Sequence, residues 1–319
     1  FRLQQPQDKV SVTAGETLNL TCTASGQGAP GPVKWLKGWG SENKTIYDQT
    51  VSFPRVMRVV NESNMDFSIR IGNVQPEDAG TYYCVKFGKL VNRGPEIVDR
   101  GNGTEVSVLA KPSTPVVSRP DHRVETGESV PFTCTAKGFF PKNISVKWFK
   151  NKTQISAQQP QITTGQTNFS YTMTTNVTVT LQKEDVRSQL ICEVRHPTLE
   201  HPLRGTYQLR EVLRVSPVVR VVAESQSPVE VNKTMNFTCH VEGFYPGEVA
   251  VTWLENTMKI EENISQVMLM PSGLFKMTSH VEVQVTVEKN GSVFTCQVVH
   301  DGQGPISRNT TLWIPVPTK

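Results

Sequence analysis

With 319 residues, 37% of them hydrophobic and 19% charged, the chain carries enough apolar material for two or three packed domains and too balanced a composition for wholesale disorder. Its net charge of +4 is small for this length, and no block of Lys and Arg interleaved with aromatics marks a nucleic-acid surface. Mean hydropathy is −0.33, no apolar run approaches the roughly 18 residues of a membrane-spanning helix, and a start at Phe1 without a charged-then-apolar leader is what a mature chain shows.

Six cysteines stand at Cys22, Cys84, Cys134, Cys192, Cys239 and Cys296, and no Cys-x-x-Cys occurs among them. A zinc knuckle or a thioredoxin-type redox centre therefore has no support. Pairing consecutive cysteines gives separations of 62, 58 and 57 residues, with Trp35, Trp148 and Trp253 lying 13, 14 and 14 residues after the first member of each pair. That Cys…Trp…Cys spacing is the mark of an immunoglobulin sandwich, one per third of the chain. The expected fold is all-β, three tandem immunoglobulin-like sandwiches, with domains over 1–112, 113–216 and 217–319. Three structural disulfides imply an oxidising compartment.

The asparagines agree. Thirteen of the 17 stand in Asn-x-Ser/Thr: Asn19, Asn43, Asn61, Asn102, Asn143, Asn151, Asn168, Asn176, Asn232, Asn236, Asn263, Asn290 and Asn309. Chance would place about three, so the excess points to a glycosylated secretory protein. Strand parity is consistent with exposure, since Asn19 opposes Leu20, Asn236 opposes Phe237 and Asn176 opposes Val177 on a period of two.

Along domain one, Gly26-Gln-Gly28-Ala-Pro-Gly31 satisfies a dinucleotide-binding glycine pattern. It falls where a B–C loop belongs, and Pro30 and Pro32 oppose the helix such a site needs, so a plain loop is the better reading. Phe67-Ser-Ile-Arg-Ile71 alternates as a strand. Arg55 stands where variable domains place the arginine that pairs with an aspartate like Asp78, and Asp78-Ala-Gly-Thr-Tyr-Tyr-Cys84 puts Tyr82 at the tyrosine-corner position. Gly101-Asn-Gly-Thr-Glu-Val-Ser-Val108 resembles the closing strand of a variable domain, with two glycines suited to a bulge.

Proline at Ala110-Lys-Pro-Ser-Thr-Pro115 and at Val215-Ser-Pro217 marks the two junctions as short, stiff linkers. Domains two and three carry Gly138-Phe-Phe-Pro141 and Gly243-Phe-Tyr-Pro246, then Cys192-Glu-Val-Arg-His196 and Cys296-Gln-Val-Val-His300. Those signatures are constant-type, so the order is variable, constant, constant. Val177-Thr-Val-Thr-Leu181 and Val281-Glu-Val-Gln-Val-Thr-Val287 alternate as strands. His196 and His300 lie an even number of residues from a cysteine, which predicts an inward or rim-facing strand position and structural packing rather than metal binding; His122, His201, His240 and His280 show no ligand spacing. With no Gly-x-Ser-x-Gly elbow and no spare thiol, neither an enzyme activity nor a cofactor is indicated.

What remains is the loop end of domain one, where sandwiches bind partners. The candidate contact residues are Gly26, Gln27, Gly28, Ala29 and Pro30 in the B–C loop; Gln49, Thr50 and Val51 after strand C′; Asn61 and Glu62 in the D–E turn; and Lys86, Phe87, Lys89, Leu90, Val91, Asn92, Arg93 and Glu96 in the F–G stretch. An apolar centre within a charged rim fits a protein partner, although any single one of these residues also reads as an ordinary solvated position.

Asn64-Met-Asp-Phe-Ser-Ile-Arg-Ile-Gly-Asn73, Asp78-Ala-Gly-Thr-Tyr-Tyr-Cys-Val-Lys-Phe87, Lys147-Trp-Phe-Lys150, Pro202-Leu-Arg-Gly205 and Thr252-Trp-Leu-Glu-Asn256 together resemble the signal-regulatory protein family, over the whole chain. The resemblance implies the extracellular part of a leukocyte surface receptor, anchored in the plasma membrane, whose first domain recognises a protein ligand on another cell. Its inhibitory member binds integrin-associated protein; phosphatases or a signalling adaptor act through parts outside this chain. Three departures stand out, one of them Leu90-Val-Asn-Arg93 in place of the acidic centre of the F–G loop. The B–C loop is glycine-rich where the inhibitory member is bulky and apolar, and a shorter D–E region carries the sequon at Asn61. These favour an activating or divergent paralogue. A soluble antibody-like chain also has the variable-constant-constant order.

Overall fold

The computed structural model describes residues 1–28, 31–51, 53–89, 95–164, 169–224, 229–260, 263–264 and 266–315, with backbone alone for 89, 95, 224, 263 and 264. Among the described residues every regular element is a strand or a short 310 turn. No helix there is long and apolar enough to cross a membrane.

Domain one contains β1 (Arg2–Gln4), β2 (Lys9–Thr13), β3 (Leu18–Leu20), β4 (Thr23–Ser25), β5 (Val33–Lys37), β6 (Lys44–Asp48), β7 (Val56–Arg58), β8 (Ile69–Ile71), β9 (Gly80–Lys89), β10 (Pro95–Arg100) and β11 (Thr104–Leu109). One sheet runs β2-β11-β9-β5-β6, with β10 also on β9; the facing sheet runs β3-β8-β7, and β1 pairs separately with β4. The first strand thus divides its loyalty. β2 lies parallel to β11, whereas β1 crosses to the other side.

Alternation explains the core. Leu18 and Leu20 face Ile69 and Ile71 across β3 and β8, all buried, while Asn19 and Arg70 point outward between them. Disulfides join Cys22 to Cys84, Cys134 to Cys192 and Cys239 to Cys296. Each tryptophan stands directly opposite the second cysteine of its domain on the neighbouring strand: Trp35 with Cys84, Trp148 with Cys192, Trp253 with Cys296. All three are buried, and each indole N–H donates, to the Phe67 carbonyl at 2.8 Å, the Thr175 hydroxyl at 3.3 Å and the Ser279 hydroxyl at 2.9 Å. A buried indole needs that partner, because an unpaired N–H costs about 1–3 kcal/mol.

Domains two and three repeat one plan. Domain two stacks Val116–Ser118, Ser129–Phe139, Tyr171–Thr180 and Gln161–Thr164 against Thr153–Ile155, Ser145–Lys150, Gln189–Arg195 and Leu203–Gln208. Domain three does the same with Val218–Glu224, Thr234–Phe244, Phe275–Gln284 and Asn263–Ile264 against Met258–Ile260, Val249–Glu255, Val293–His300 and Ile306–Thr311. Both Gly-Phe-aromatic-Pro signatures sit at a register shift, at Lys137/Phe139 and Glu242/Phe244. Gly138 and Gly243 take φ of 74° and 73° there, a conformation that favours glycine. Phe139 and Phe244 turn into the cores. His196 and His300 are buried beside them, each donating from Nε2, to the Pro141 and Pro246 carbonyls at 2.7 Å. The two sequence signatures of a constant domain are thus the two ends of one hydrogen bond.

The junctions are pinned. Ala110 and Phe140 exchange both backbone hydrogen bonds at 3.0 Å, and Val215 and Tyr245 do the same at 2.8 and 3.0 Å. The second junction gains more: Arg214 Nε donates to Asp301 Oδ2 at 2.8 Å, Arg187 reaches the Pro271 carbonyl, and Leu274 of domain three is buried within the core cluster of domain two.

Some sequence expectations need correcting. The run to Val287 ends early: the strand stops at Gln284, Val285 is buried, and Val287 opens a 310 turn over Val287–Lys289 with 70% of its surface exposed. Only Ile69–Ile71 of the 67–71 run is strand, and Ser68 is buried because its hydroxyl accepts the Cys22 amide at 3.1 Å. The register shift near the closing strand falls between Ile97 and Asp99, ahead of the two glycines. Gly101 and Gly103 answer to Gln5 instead. A Cβ on Gly101 would lie 2.0 Å from Gln5 Oε1, and that oxygen accepts from Cys84 N at 3.1 Å and Gly103 N at 3.2 Å while Nε2 donates to the Tyr82 carbonyl at 3.0 Å.

Candidate functional site at the tip of domain one

The loop end of domain one is built on close backbone approach. Gly31 has φ of 150° and lies so near β9 that a Cβ there would sit 1.9 Å from the Phe87 carbonyl oxygen. Phe87 N donates to the Pro32 carbonyl at 2.9 Å, and Lys86 Nζ donates to the Gly31 carbonyl at 2.5 Å. The Lys86 ammonium also lies 5.2 Å from the centroid of the Phe1 ring, a cation–π distance. Phe1 in turn fills the space a side chain would need at Gly28, where a Cβ would come within 2.6 Å of the ring. Glycine in this loop serves the approach of an aromatic ring, not of a phosphate.

Lys86, expected among the contact residues, is therefore corrected to an internal brace: it is only 8% exposed. Its parity with Tyr82 and Cys84 on β9 carries it inward. Burial lowers its pKa from the ordinary lysine value.

A second cluster joins β5, β6 and β9. Lys34 lies 3.3 Å from Asp48 and 5.2 Å from the centroid of the Phe87 ring. Asp48 Oδ1 accepts from the Thr50 amide and hydroxyl, both at 3.1 Å. Burial pushes the Asp48 carboxyl up, but the Thr50 and Lys34 hydrogen bonds outweigh it and hold the group below the usual carboxylate range. Thr50 and Gln49 are exposed, and Val51 leaves 54% of its surface open just beyond. The turn is thus a fixed anionic base carrying an exposed apolar side chain.

The F–G stretch is mostly a β-hairpin rather than a loop. Pro95, Glu96 and Ile97 pair with Lys89, Gly88 and Phe87. Past the register shift, Asp99 Oδ2 accepts the Leu3 amide at 2.7 Å and ties the hairpin to β1. Glu96, Ile97 and Val98 are exposed. Gly26, Gln27 and Gly28 are exposed and Phe87 is half-buried. Ala29, Pro30, Leu90, Val91, Asn92 and Arg93 lie outside the described residues, as does the side chain of Lys89.

Asn61 and Glu62 belong to a separate turn. Both are exposed, and Glu62 takes a φ of 60°. Arg58 holds this turn, donating from Nη2 to the carbonyls of Ser63 and Asp66 at 2.6 Å each and lying 4.8 Å from the Phe67 ring centroid. Gln5, Arg58, Lys34 and Asp99 brace the strands and turns of domain one and bear no motif that would single them out beforehand.

The far end of domain one is fixed by the tyrosine corner. Buried Tyr82 donates its hydroxyl to the Asp78 carbonyl at 2.5 Å, and Arg55 pairs with both carboxylate oxygens of Asp78, at 2.9 and 3.1 Å. Eleven sequon asparagines have described side chains, all exposed; Asn168 and the Asn263 side chain lie outside the description. Among the described residues no group of three or more His, Cys, Asp or Glu could hold a metal ion.

An immunoglobulin V-set domain model matches residues 4–109, and an immunoglobulin C1-set domain model matches 116–199 and 219–303. Signal-regulatory protein beta-1 of Homo sapiens is 41% identical over 318 residues, which is 97% of this chain and 78% of that one. The chain belongs to the signal-regulatory protein family. A second member of the family's kin, tyrosine-protein phosphatase non-receptor type substrate 1 of Bos taurus, is 45% identical over 322 residues, covering 99% of this chain and 63% of that protein. The chain therefore spans about three fifths of that bovine relative's length. The solved crystal structure of Rst D1-D2 is similar with a TM-score of 0.50 and 16% identity, over 66% of this chain and 97% of that one; that likeness concerns the fold alone. The signal-regulatory protein family thus accounts for all three sandwiches in their order, one V-set followed by two C1-set.

Proposed function

We propose that this chain is the extracellular part of a plasma-membrane receptor whose domain-one tip recognises a protein on another cell, and so regulates leukocyte signalling, phagocytosis or adhesion. The observation that carries the reading is the tip itself. Exposed Val51 stands on a turn held by Asp48–Thr50, and exposed Ile97 and Val98 stand on a hairpin strand held by Asp99–Leu3. Apolar side chains held exposed on braced backbone lose little entropy on docking. Integrin-associated protein is the ligand to test first, given the family. The bovine relative is named as a tyrosine-protein phosphatase substrate; phosphatases, or an activating adaptor, would act here through segments outside this chain.

A labelled tetramer of the full chain should stain leukocytes, and the double change V51D/I97D should abolish staining while leaving the melting curve intact. Equal staining by the variant overturns recognition through the tip. Surface plasmon resonance against integrin-associated protein then separates the family readings. A null titration with a folded, staining-competent chain favours the adaptor-coupled paralogue, in line with the glycine-rich B–C loop and the exposed Asn61 sequon. A soluble antibody-like chain is the weaker alternative, because all six cysteines lie in intradomain bridges and none is free to join a partner chain.

A further inference from the structure

Near its C-terminal strand, domain three displays a tryptophan that the core does not use. Trp313 is 68% exposed, directly after buried Leu312. Its indole rests over Gly291, where a Cβ would lie 3.7 Å from Cζ3. The backbones beneath are locked together: Gly291 N donates to the Leu312 carbonyl at 2.8 Å, and Leu312 N donates to the Ser292 carbonyl at 2.9 Å. Asn290 completes the lock, its Oδ1 accepting the Ile314 amide at 2.9 Å. That bond fixes the plane of the side-chain amide and leaves Nδ2 on the other side of the amide carbon.

Asn290-Gly291-Ser292 is an Asn-x-Ser sequon, and Nδ2 is the atom to which N-linked sugar is joined. A pyranose ring presents one face of C–H groups, and the electron-rich face of an indole is their natural partner. Tethering one residue away from the glycine under the indole gives a sugar on Asn290 a high effective concentration at that face. We propose that Asn290 carries an N-linked glycan whose first N-acetylglucosamine packs on the exposed face of Trp313. The pairing explains why a large aromatic stands in solvent beside an asparagine whose amide orientation is already set. It rests on passage of the chain through the secretory pathway and not on the identity of any ligand.

The test uses the full chain made in mammalian cells. Glycopeptide mass spectrometry should find Asn290 occupied; an unmodified Asn290 beside other occupied sequons overturns this proposal alone, whereas no occupied sequon anywhere overturns the secretory reading as well. After trimming to single N-acetylglucosamine residues bearing a 13C-labelled acetyl group, the methyl signal missing from Ser292→Ala is that of Asn290. That variant removes the sequon and keeps the Asn290–Ile314 bond. The signal should lie upfield of the free-sugar position and return to it in Trp313→Ala; an unshifted signal overturns the proposal. Each variant should lower the midpoint of the melting transition that includes domain three by about 2–5 °C, and the double variant by no more than the larger single effect. Additive losses, or a Trp313→Ala effect that persists undiminished in Ser292→Ala, would show that the indole and the glycan do not interact and sink the proposal.

Discussion

Lys86 Nζ sits 2.5 Å from the Gly31 carbonyl oxygen, joining β9 to the B–C loop from within the sandwich. Lys86→Met keeps the buried stem and removes the bond, so domain one should lose about 1–2 kcal/mol in urea melts. Burial holds the lysine pKa below its ordinary value, so the folded state binds this proton less well than the unfolded chain. Stability should therefore rise with pH between that lowered value and the ordinary lysine value, and the rise should shrink in the variant.

Gly31→Ala tests the same approach from the other side. A Cβ at 1.9 Å from a backbone carbonyl cannot be absorbed by a rotamer change, so the B–C loop must move off β9. The loss should exceed about 1 kcal/mol, with amide exchange at Phe87, whose N–H bonds to Pro32, faster than in the parent chain.

Asp78 gives the acid limb. Burial raises its carboxyl pKa, but hydrogen bonds from Arg55 and the Gln75 amide more than reverse this and leave it lowered. The folded state thus favours the ionised form. This stability is present above the unfolded aspartate value and is lost as pH falls through the lower folded one. Asp78→Asn should cost about 1–2 kcal/mol at neutral pH, a figure kept modest by the exposure of Arg55, and should flatten the fall in melting temperature on acidification below about pH 4.

Asn151 and Asn256 are structural twins at equivalent turns. Both take φ of 55°; Asn151 Oδ1 accepts the Gln189 amide at 3.0 Å, and Asn256 Oδ1 accepts the Val293 amide at 2.9 Å. Only Asn151 is in a sequon. Asn151→Ala and Asn256→Ala should each cost about 1–2 kcal/mol in chain made without glycans. Equal losses in calorimetry would show that the turn, not the sugar, selects the asparagine.

How far the residues alone could be read depends on how local each signal is. Cys84 and Trp35 declare a sandwich because spacing and pairing are repeated three times, and the Gly-Phe-Phe-Pro and Cys-x-Val-x-His signatures name the constant type. Period-two parity would also have carried Lys86 inward with Tyr82 and Cys84, had its charge not suggested the surface. Gln5 and Asp99 could not be found this way. Their partners, Tyr82, Cys84 and Leu3, lie 77 to 96 positions distant, and a lone polar residue carries no period. Val287 misled for the opposite reason: its parity is right, but the chain has already left the sheet.

Arg214 and Asp301 show that sequence distance also hides the domain junctions. Arg214→Ala removes the 2.8 Å pair across the second junction. Calorimetry should then resolve domain three as an earlier, separate transition, while the first junction, held by the Ala110–Phe140 bridge, keeps its behaviour.

The packing of Phe1 against the B–C glycines and Lys86 has a practical corollary. Anything fused ahead of that ring would start beside the B–C glycines and Lys86, so tags, dyes and display anchors attached there would crowd the surface proposed to bind a partner. Tethering beyond domain three avoids that crowding.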